Sequence, residues 1–350
     1  MVGPRLDLAV SRHGLLLPQA GPLLVAGAAP GPLPEDFGRE RTVVVQPLRP
    51  EHDGWASGGW QVRPDLPETA EGRCAAALVR LPRARVAARD LIARTAAICD
   101  GPLIVDGAKT DGVETILRDL RTAGVRLFPE DGPVAKAHGK LAWFHAPDAR
   151  LGGWRAADQQ PAPGFVTRPG VFSADSPDPG SVLLAENLPD ALGAHVVDLG
   201  AGWGWLAAAV LERATVTRLD LVEADHAALA CARRAIRDPR AQFHWADARR
   251  WTPDRAPDAV IMNPPFHAGR AAEPRLGAAF VEAAARILPA QGVLWLVANR
   301  HLPYERTLTQ SFAETVEIGG DTRFKVLMAR KPRKPGRERT KKRTPQEQFR

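Results

Sequence analysis

The chain has 350 residues, 45% of them apolar and 25% charged, which leaves room for two ordinary globular domains. No apolar run approaches the length of a membrane span, and the opening "MVGPRLDLAVSRHG" lacks the charged start, apolar centre and small-residue cleavage site of a signal peptide. The net charge of +7 is confined to the last twenty residues, "KPRKPGRERTKKRTPQEQFR", which hold nine of the 47 basic and two of the 40 acidic side chains and leave the rest of the chain balanced.

In chain order, "GPLLVAGAAPG" and "RTVVVQPLRPEH" each contain an apolar run that reads as a strand. "AALVRLPRARVAARDLIARTAAICDGPLIVDGAKTDG" follows as a strand, a Pro-containing break, an Ala-rich helix, a glycine and another apolar strand. Trp154 to Gly180 is rich in Pro, Gly and Asp without periodicity and reads as a linker, with the domain boundary near residue 160. The second half alternates. "AHVVDLG" is a buried strand, "WLAAAVLERA" a helix, "VTRLDLVEA" a strand, "DHAALACARRAIR" an amphipathic helix, and "AQFHWAD" and "DAVIMN" are strands. "RLGAAFVEAAARIL" is a helix, "VLWLVAN" a strand, and "TVEIGGDTRFKVLMARK" a hairpin turning at Gly-Gly-Asp. Such alternation argues an α/β fold: a parallel sheet with helices on both faces, closed by an antiparallel hairpin.

The first half echoes the second. "AALVRLPR…" lines up with "DAVIMNPPF…", with "RLPR" in place of "NPPF" and no clustered glycines. The economical reading is a duplicated fold whose first copy lost its chemistry. The expected division is residues 1–160, a degenerate copy; 161–330, the working domain; and 331–350, a basic tail. The tail's Pro/Gly-punctuated, apolar-poor composition predicts disorder and attraction to polyanions, nucleic acid first. Cys74, Cys99 and Cys231 are far apart with no C-x-x-C, so neither a disulfide framework nor a Cys-rich zinc site is expected, and a reducing cytoplasm fits.

"VVDLGAGWGWLA" places Gly200, Gly202 and Gly204 between a strand and a helix, where glycines let the backbone turn tightly and approach a ligand. Glu223 closes the next strand, placed to accept bonds from ribose hydroxyls. The loop alone does not separate a nicotinamide enzyme from an S-adenosylmethionine (SAM) enzyme. Two residues favour SAM. Asp198, just before the glycines, suits the amino acid portion of SAM and would repel a pyrophosphate. Asp247, ending the third strand, suits an adenine amine.

Asn263-Pro264-Pro265-Phe266 stops the fourth strand, because proline lacks the N–H a strand needs. Strand ends are where ligands gather in such sheets. A planar exocyclic amine is a weak nucleophile, its lone pair delocalised into the ring. The Asn263 oxygen and the Pro264 carbonyl would hold its two N–H groups and aim the lone pair at the sulfonium methyl. The prolines fix the carbonyl direction, and Phe266 offers a ring face to the base.

With these residues in place, "NPPFHAG", "VANRHLPYE", "TRFKVLMARK" and the upstream "PGVFSADSPDPGSVLL" resemble the bacterial ribosomal RNA guanine-N2 methyltransferases, especially the small-subunit type with tandem methyltransferase-like domains. The resemblance runs from about Pro169 to Lys331. It implies a class I SAM-methyltransferase (Rossmann-like) domain, a degenerate first copy aiding RNA binding or stability, and a 16S rRNA guanine as substrate. It also implies that Phe172 helps cover the methionine part of SAM. His267 is a candidate for touching the base or a phosphate, or for capping the next segment. Arg323 and Lys325 are candidates for facing RNA. Trp203 and Trp205 are bulkier than is usual in such a loop. The expected partners are SAM, no metal, no membrane, and ribosomal RNA or the small subunit, with the enzyme acting as a monomer. Alternatives are a large-subunit guanine-N2 or adenine-N6 methyltransferase, a protein-glutamine methyltransferase, and, from another class, a non-catalytic RNA-binding assembly factor.

Overall fold

The computed structural model describes residues 3–67, 72–265 and 274–333. Phe266, His267 and nearly all of the basic tail lie outside these residues.

The first half contains α1 (Gly3–Arg12), β1 (Leu23–Ala26), β2 (Thr42–Val45), α2 (Arg49–Ser57), β3 (Gln61–Arg63), β4 (Ala76–Arg80) and α3 (Arg85–Ala96). It continues with β5 (Pro102–Ala108), α4 (Val113–Thr122), β6 (Val134–Lys136) and β7 (Gly139–His145). The second half contains α5 (Pro179–Asn187), β8 (His195–Leu199), α6 (Trp205–Leu211), β9 (Arg218–Glu223), α7 (His226–Ala235), β10 (Ala241–Trp245) and β11 (Ala259–Met262). After it come α8 (Pro274–Ile287), β12 (Val293–Asn299), α9 (Tyr304–Ser311), β13 (Phe312–Gly320) and β14 (Phe324–Pro332).

Each half builds a seven-stranded sheet, and the two orders coincide: β3-β2-β1-β4-β5-β7-β6 and β10-β9-β8-β11-β12-β14-β13. Five strands of each pair in parallel, and the last two pairings are antiparallel. The aligned segments of the sequence echo occupy matching places, β4-α3-β5 against β11-α8-β12. The central strands are buried along their length because helices cover both faces: every residue of β1, β8 and β11 is buried, His195 and Asp198 of β8 included.

The copies differ at their strand ends. At the end of β4, where the second copy carries Asn263, stands Arg80, bonded to Asp106 at 2.7 Å and Asp111 at 2.8 Å. Arg5 reaches the same buried Asp106 at 2.5 Å. This ion cluster satisfies the arginine at the first copy's strand end internally. The halves are also fastened together there. The Arg49 N–H donates to the Ala224 carbonyl at 2.8 Å, the His226 N–H to that of Pro47 at 3.0 Å, and the Arg49 guanidinium lies 4.8 Å from the Trp245 ring.

Candidate active site

Asp198 sits within β8, fully buried, and its neighbours past the strand end are glycines in the left-handed region: φ is +82° at Gly200, +56° at Gly202 and +90° at Gly204. At Gly204 a side chain is also excluded by space, since a Cβ would meet Ile236 at 2.9 Å and Ala232 at 3.0 Å. Glu223 braces this loop from the end of β9. One carboxylate oxygen accepts the Gly202 N–H at 2.7 Å and the other the Asp225 N–H at 2.8 Å.

The loop forms one wall of a cleft enclosing about 440 Å3 of empty space, open solvent at its mouth included. Asp198, Gly200, Gly202 and Asn263 line it, together with Phe172, Trp203 and Trp205. Phe172 stands at the mouth, 57% exposed. The Trp203 indole ties the segment before α5 to the glycine loop by donating to the carbonyls of Phe172 at 3.0 Å and Ser173 at 3.2 Å, and packs edge-on against Phe165. The bulky residue in the loop is therefore a fastener as well as a wall, and Trp205 both walls the cleft and opens α6.

The electrostatics are unusual at one carboxyl. Neither oxygen of Asp198 has a hydrogen-bond partner among the described residues. Burial first, then the charge of Glu223, pushes its pKa up to about 8. Glu223 is raised to about 7 by burial, against the pull of its backbone N–H partners. A buried, unpartnered carboxyl facing a cleft whose described lining contains no basic side chain fits a ligand that brings its own cation. The ammonium of SAM is such a group.

Asn263 follows β11 directly. Its amide nitrogen donates to Asp178 Oδ1 at 2.7 Å and to Ser181 Oγ at 2.9 Å. Both partners belong to the start of α5, where Asp178 is the cap and also accepts the Ser181 N–H at 3.0 Å. Sequence reasoning passed over both. Their signal was Asp-Pro-Gly-Ser, a cap residue followed by proline at the first helical position. Pro264 is buried and Pro265 half-buried behind Asn263.

Glu223 braces the loop through its backbone bonds and is not among the residues that line the cleft. Two expected roles change. Asp247 lies in a different groove, with Arg49 and Trp251, and its carboxylate is taken by the Arg249 guanidinium through two contacts of 2.8 Å. Lys325 is not a surface cation. It is 4% exposed, and its ammonium donates to the carbonyl of Leu302 at 2.8 Å and that of Arg300 at 3.3 Å and pairs with Glu305. It closes the turn between β12 and α9, so an RNA-facing role is excluded by its burial. Lys325→Met is expected to lower stability by about 1–3 kcal/mol in a denaturant titration, because a buried and a partly buried carbonyl lose their donor, while RNA affinity stays unchanged. Arg323 is exposed, its guanidinium 5.2 Å from the Phe324 ring. That ring lies against Gly180 of α5, beside the cleft.

Comparison with known proteins agrees with this geometry. The family model described as "Methyltransferase small domain" matches residues 163–328. Ribosomal RNA small subunit methyltransferase C of Shewanella sp. (strain MR-4) is 31% identical over 238 residues, covering 65% of this chain and 68% of that one. Ribosomal RNA large subunit methyltransferase G of Aeromonas salmonicida is 33% identical over 165 residues, covering 45% of this chain and 44% of its own. A solved T. thermophilus 16S rRNA N2 G1207 methyltransferase, in complex with AdoMet and guanosine, superposes with a TM-score of 0.73 at 25% identity, over 94% of this chain and 92% of that one. The chain belongs to the ribosomal RNA small subunit methyltransferase C family, whose members are SAM-dependent enzymes.

Proposed function

We propose that the protein transfers a methyl group from SAM to the exocyclic N2 amine of a guanine in small-subunit (16S) ribosomal RNA. The observation that carries the reading is Asn263: both of its amide hydrogens are spent on α5, which leaves its oxygen as the free hydrogen-bonding atom of the side chain in the cleft. An amine nucleophile needs such an acceptor. The names of the relatives, and guanosine in the T. thermophilus complex, favour guanine over adenine.

SAM, when bound, would supply a sulfonium methyl that passes to the amine and leaves the sulfur as a neutral thioether. Asp198 is placed to take the ammonium of its amino acid portion, and the glycine loop admits the backbone closely. Phe172 covers the mouth. Glu223 keeps acceptor capacity for a ribose beyond its two backbone bonds. Asn263 and the Pro264 carbonyl accept the two amine hydrogens, which favours a pyramidal nitrogen with its lone pair in line. Alignment of this kind can supply roughly 7–11 kcal/mol of the barrier. No strong base is required, because the methylated amine is acidic and sheds its proton to these acceptors or to solvent. A base within a helix is first flipped out, at a cost of a few kcal/mol. Phe266, next in the chain, is assigned to the base, and His267 to the base or a phosphate.

No helix of the described residues is long and apolar enough to cross a membrane. A ribosomal substrate supports a cytoplasmic site of action. The first copy, whose strand-end arginine is paired internally, is assigned to RNA contact and support, and Arg323 and the basic tail to phosphate contact.

The test is methyl transfer from labelled SAM to separated ribosomal subunits and free ribosomal RNAs from cells lacking the gene, with SAM binding measured in parallel. Label in small-subunit RNA is expected. SAM binding without transfer to any RNA would leave the assembly-factor reading.

A further inference from the structure

We infer that Asp178 and Ser181 are positioning residues for the transfer step, fixing the Asn263 carboxamide in the one orientation that turns its oxygen toward the acceptor amine. The inference rests on the role proposed above for Asn263. A primary amide has two N–H groups and one oxygen, and in a symmetric environment it can sit either way round. Here the environment is not symmetric. Asp178 Oδ1 lies 2.7 Å from the amide nitrogen and Ser181 Oγ 2.9 Å from it. Turning the amide over would set its oxygen against a carboxylate oxygen, so one orientation survives.

The arrangement is tertiary, since Asp178 and Asn263 are 85 residues apart in the chain. Its rigidity comes from α5. Asp178 holds extended backbone at φ −65° and ψ 128° while capping the Ser181 N–H, Pro179 fixes the first helical residue, and Leu184 is wholly buried beneath. Phe324 packs on Gly180, where a Cβ would come within 3.2 Å of the ring. A carboxylate also does more than a neutral acceptor would. Its charge polarises the amide through the shared hydrogen, which enriches the oxygen on the far side and makes it a stronger acceptor for the amine. The segment before the first strand thus serves the nucleophile as well as the cofactor.

The test compares Asp178→Asn and Ser181→Ala with the parent chain in steady-state transfer, with SAM affinity measured by calorimetry. Asp178→Asn keeps an acceptor oxygen for the cap and the size of the side chain, and removes the charge. Its kcat is expected to fall about 10–100-fold, with the SAM Kd and the KM for RNA close to parental. Ser181→Ala, which removes one of the two anchors, is expected to lower kcat about 3–10-fold with the same unchanged binding. It also carries the test if the charge change unfolds the chain. Parental kcat in both variants would overturn the inference, as would SAM affinity falling in step with kcat, since that would make the pair a cofactor clamp. A parent chain that transfers no methyl would instead sink the reading of the site, and this inference with it.

Discussion

Asn263→Ala is expected to lower methyl transfer by about 10²–10³-fold, the loss typical of deleting one preorganised polar contact to a reacting group. SAM affinity should stay near that of the parent. The two effects separate because Asn263 meets the cleft from β11 and α5, while the cofactor's cationic end is matched to Asp198 on β8. The amide oxygen acts only on an amine already in place, so its removal raises the barrier without loosening the ground-state complex. Single-turnover transfer with labelled SAM, together with calorimetric SAM binding, reads both quantities. Normal turnover in the variant would sink the mechanism.

Asp198→Asn is expected to weaken SAM binding by on the order of 10²-fold or more, the scale set by truncating one partner of a buried charge pair. The same change should raise the melting temperature of the ligand-free chain by several degrees. The carboxyl is wholly buried with neither oxygen partnered among the described residues, so its charge costs stability until a cation arrives. The pH dependence follows. Asp198 is raised from an ordinary 3.8 to about 8. Between those values the unfolded chain has lost a proton that the folded chain keeps. Stability of the ligand-free chain therefore falls as pH rises through that window. A bound ammonium favours the ionised form, so SAM binding at neutral pH expels a proton, and affinity climbs as pH approaches 8. Calorimetry in buffers of different ionisation enthalpy measures that proton. Affinity that is flat with pH and no proton release would contradict the assignment.

The parts of the fold that were legible in the sequence are those that bury long apolar runs. β8, β11 and β12 show themselves because both faces of a parallel strand are covered, and the echo between the halves shows for the same reason. The parts that were not legible depend on partners elsewhere in the chain. β3 and β6 are three-residue edge strands, too short to carry a period and defined only by their pairing. α9, "YERTLTQS", is polar and rich in β-branched residues, and it holds its helix through buried Tyr304 and Leu308. The two antiparallel strands of the first copy also went unread, because turn and strand residues there lack the glycine pair that marks the second hairpin.

At the site the same division holds. Glycines at positive φ and an acidic residue before them carry a backbone requirement that is local, so Gly200, Gly202, Gly204 and Asp198 could be named from spacing. Asp178 and Ser181 could not be joined to Asn263, because no local rule links residues that far apart. Lys325 was misread for the opposite reason. A lysine in a hairpin looks solvated, and only the fold turns it inward onto carbonyls of the preceding turn. Asp247 lies two residues past β10, and an arginine two residues further on has claimed its carboxylate.

The two copies also make a controlled comparison inside one chain. Their strand orders coincide, so the difference in chemistry lies in what stands at the strand ends. In one copy an arginine pairs with two aspartates; in the other a carboxyl is left unpartnered and an amide is locked in place. The first arrangement satisfies itself, and the second is satisfied by ligands.

The most direct measurement is nucleoside mass spectrometry of small-subunit RNA, taken from cells lacking the gene and treated with the protein and labelled SAM. The account predicts labelled N2-methylguanosine, absent when Asn263→Ala replaces the parent. Labelled N6-methyladenosine, or no methylated nucleoside from a protein that binds SAM, would contradict it.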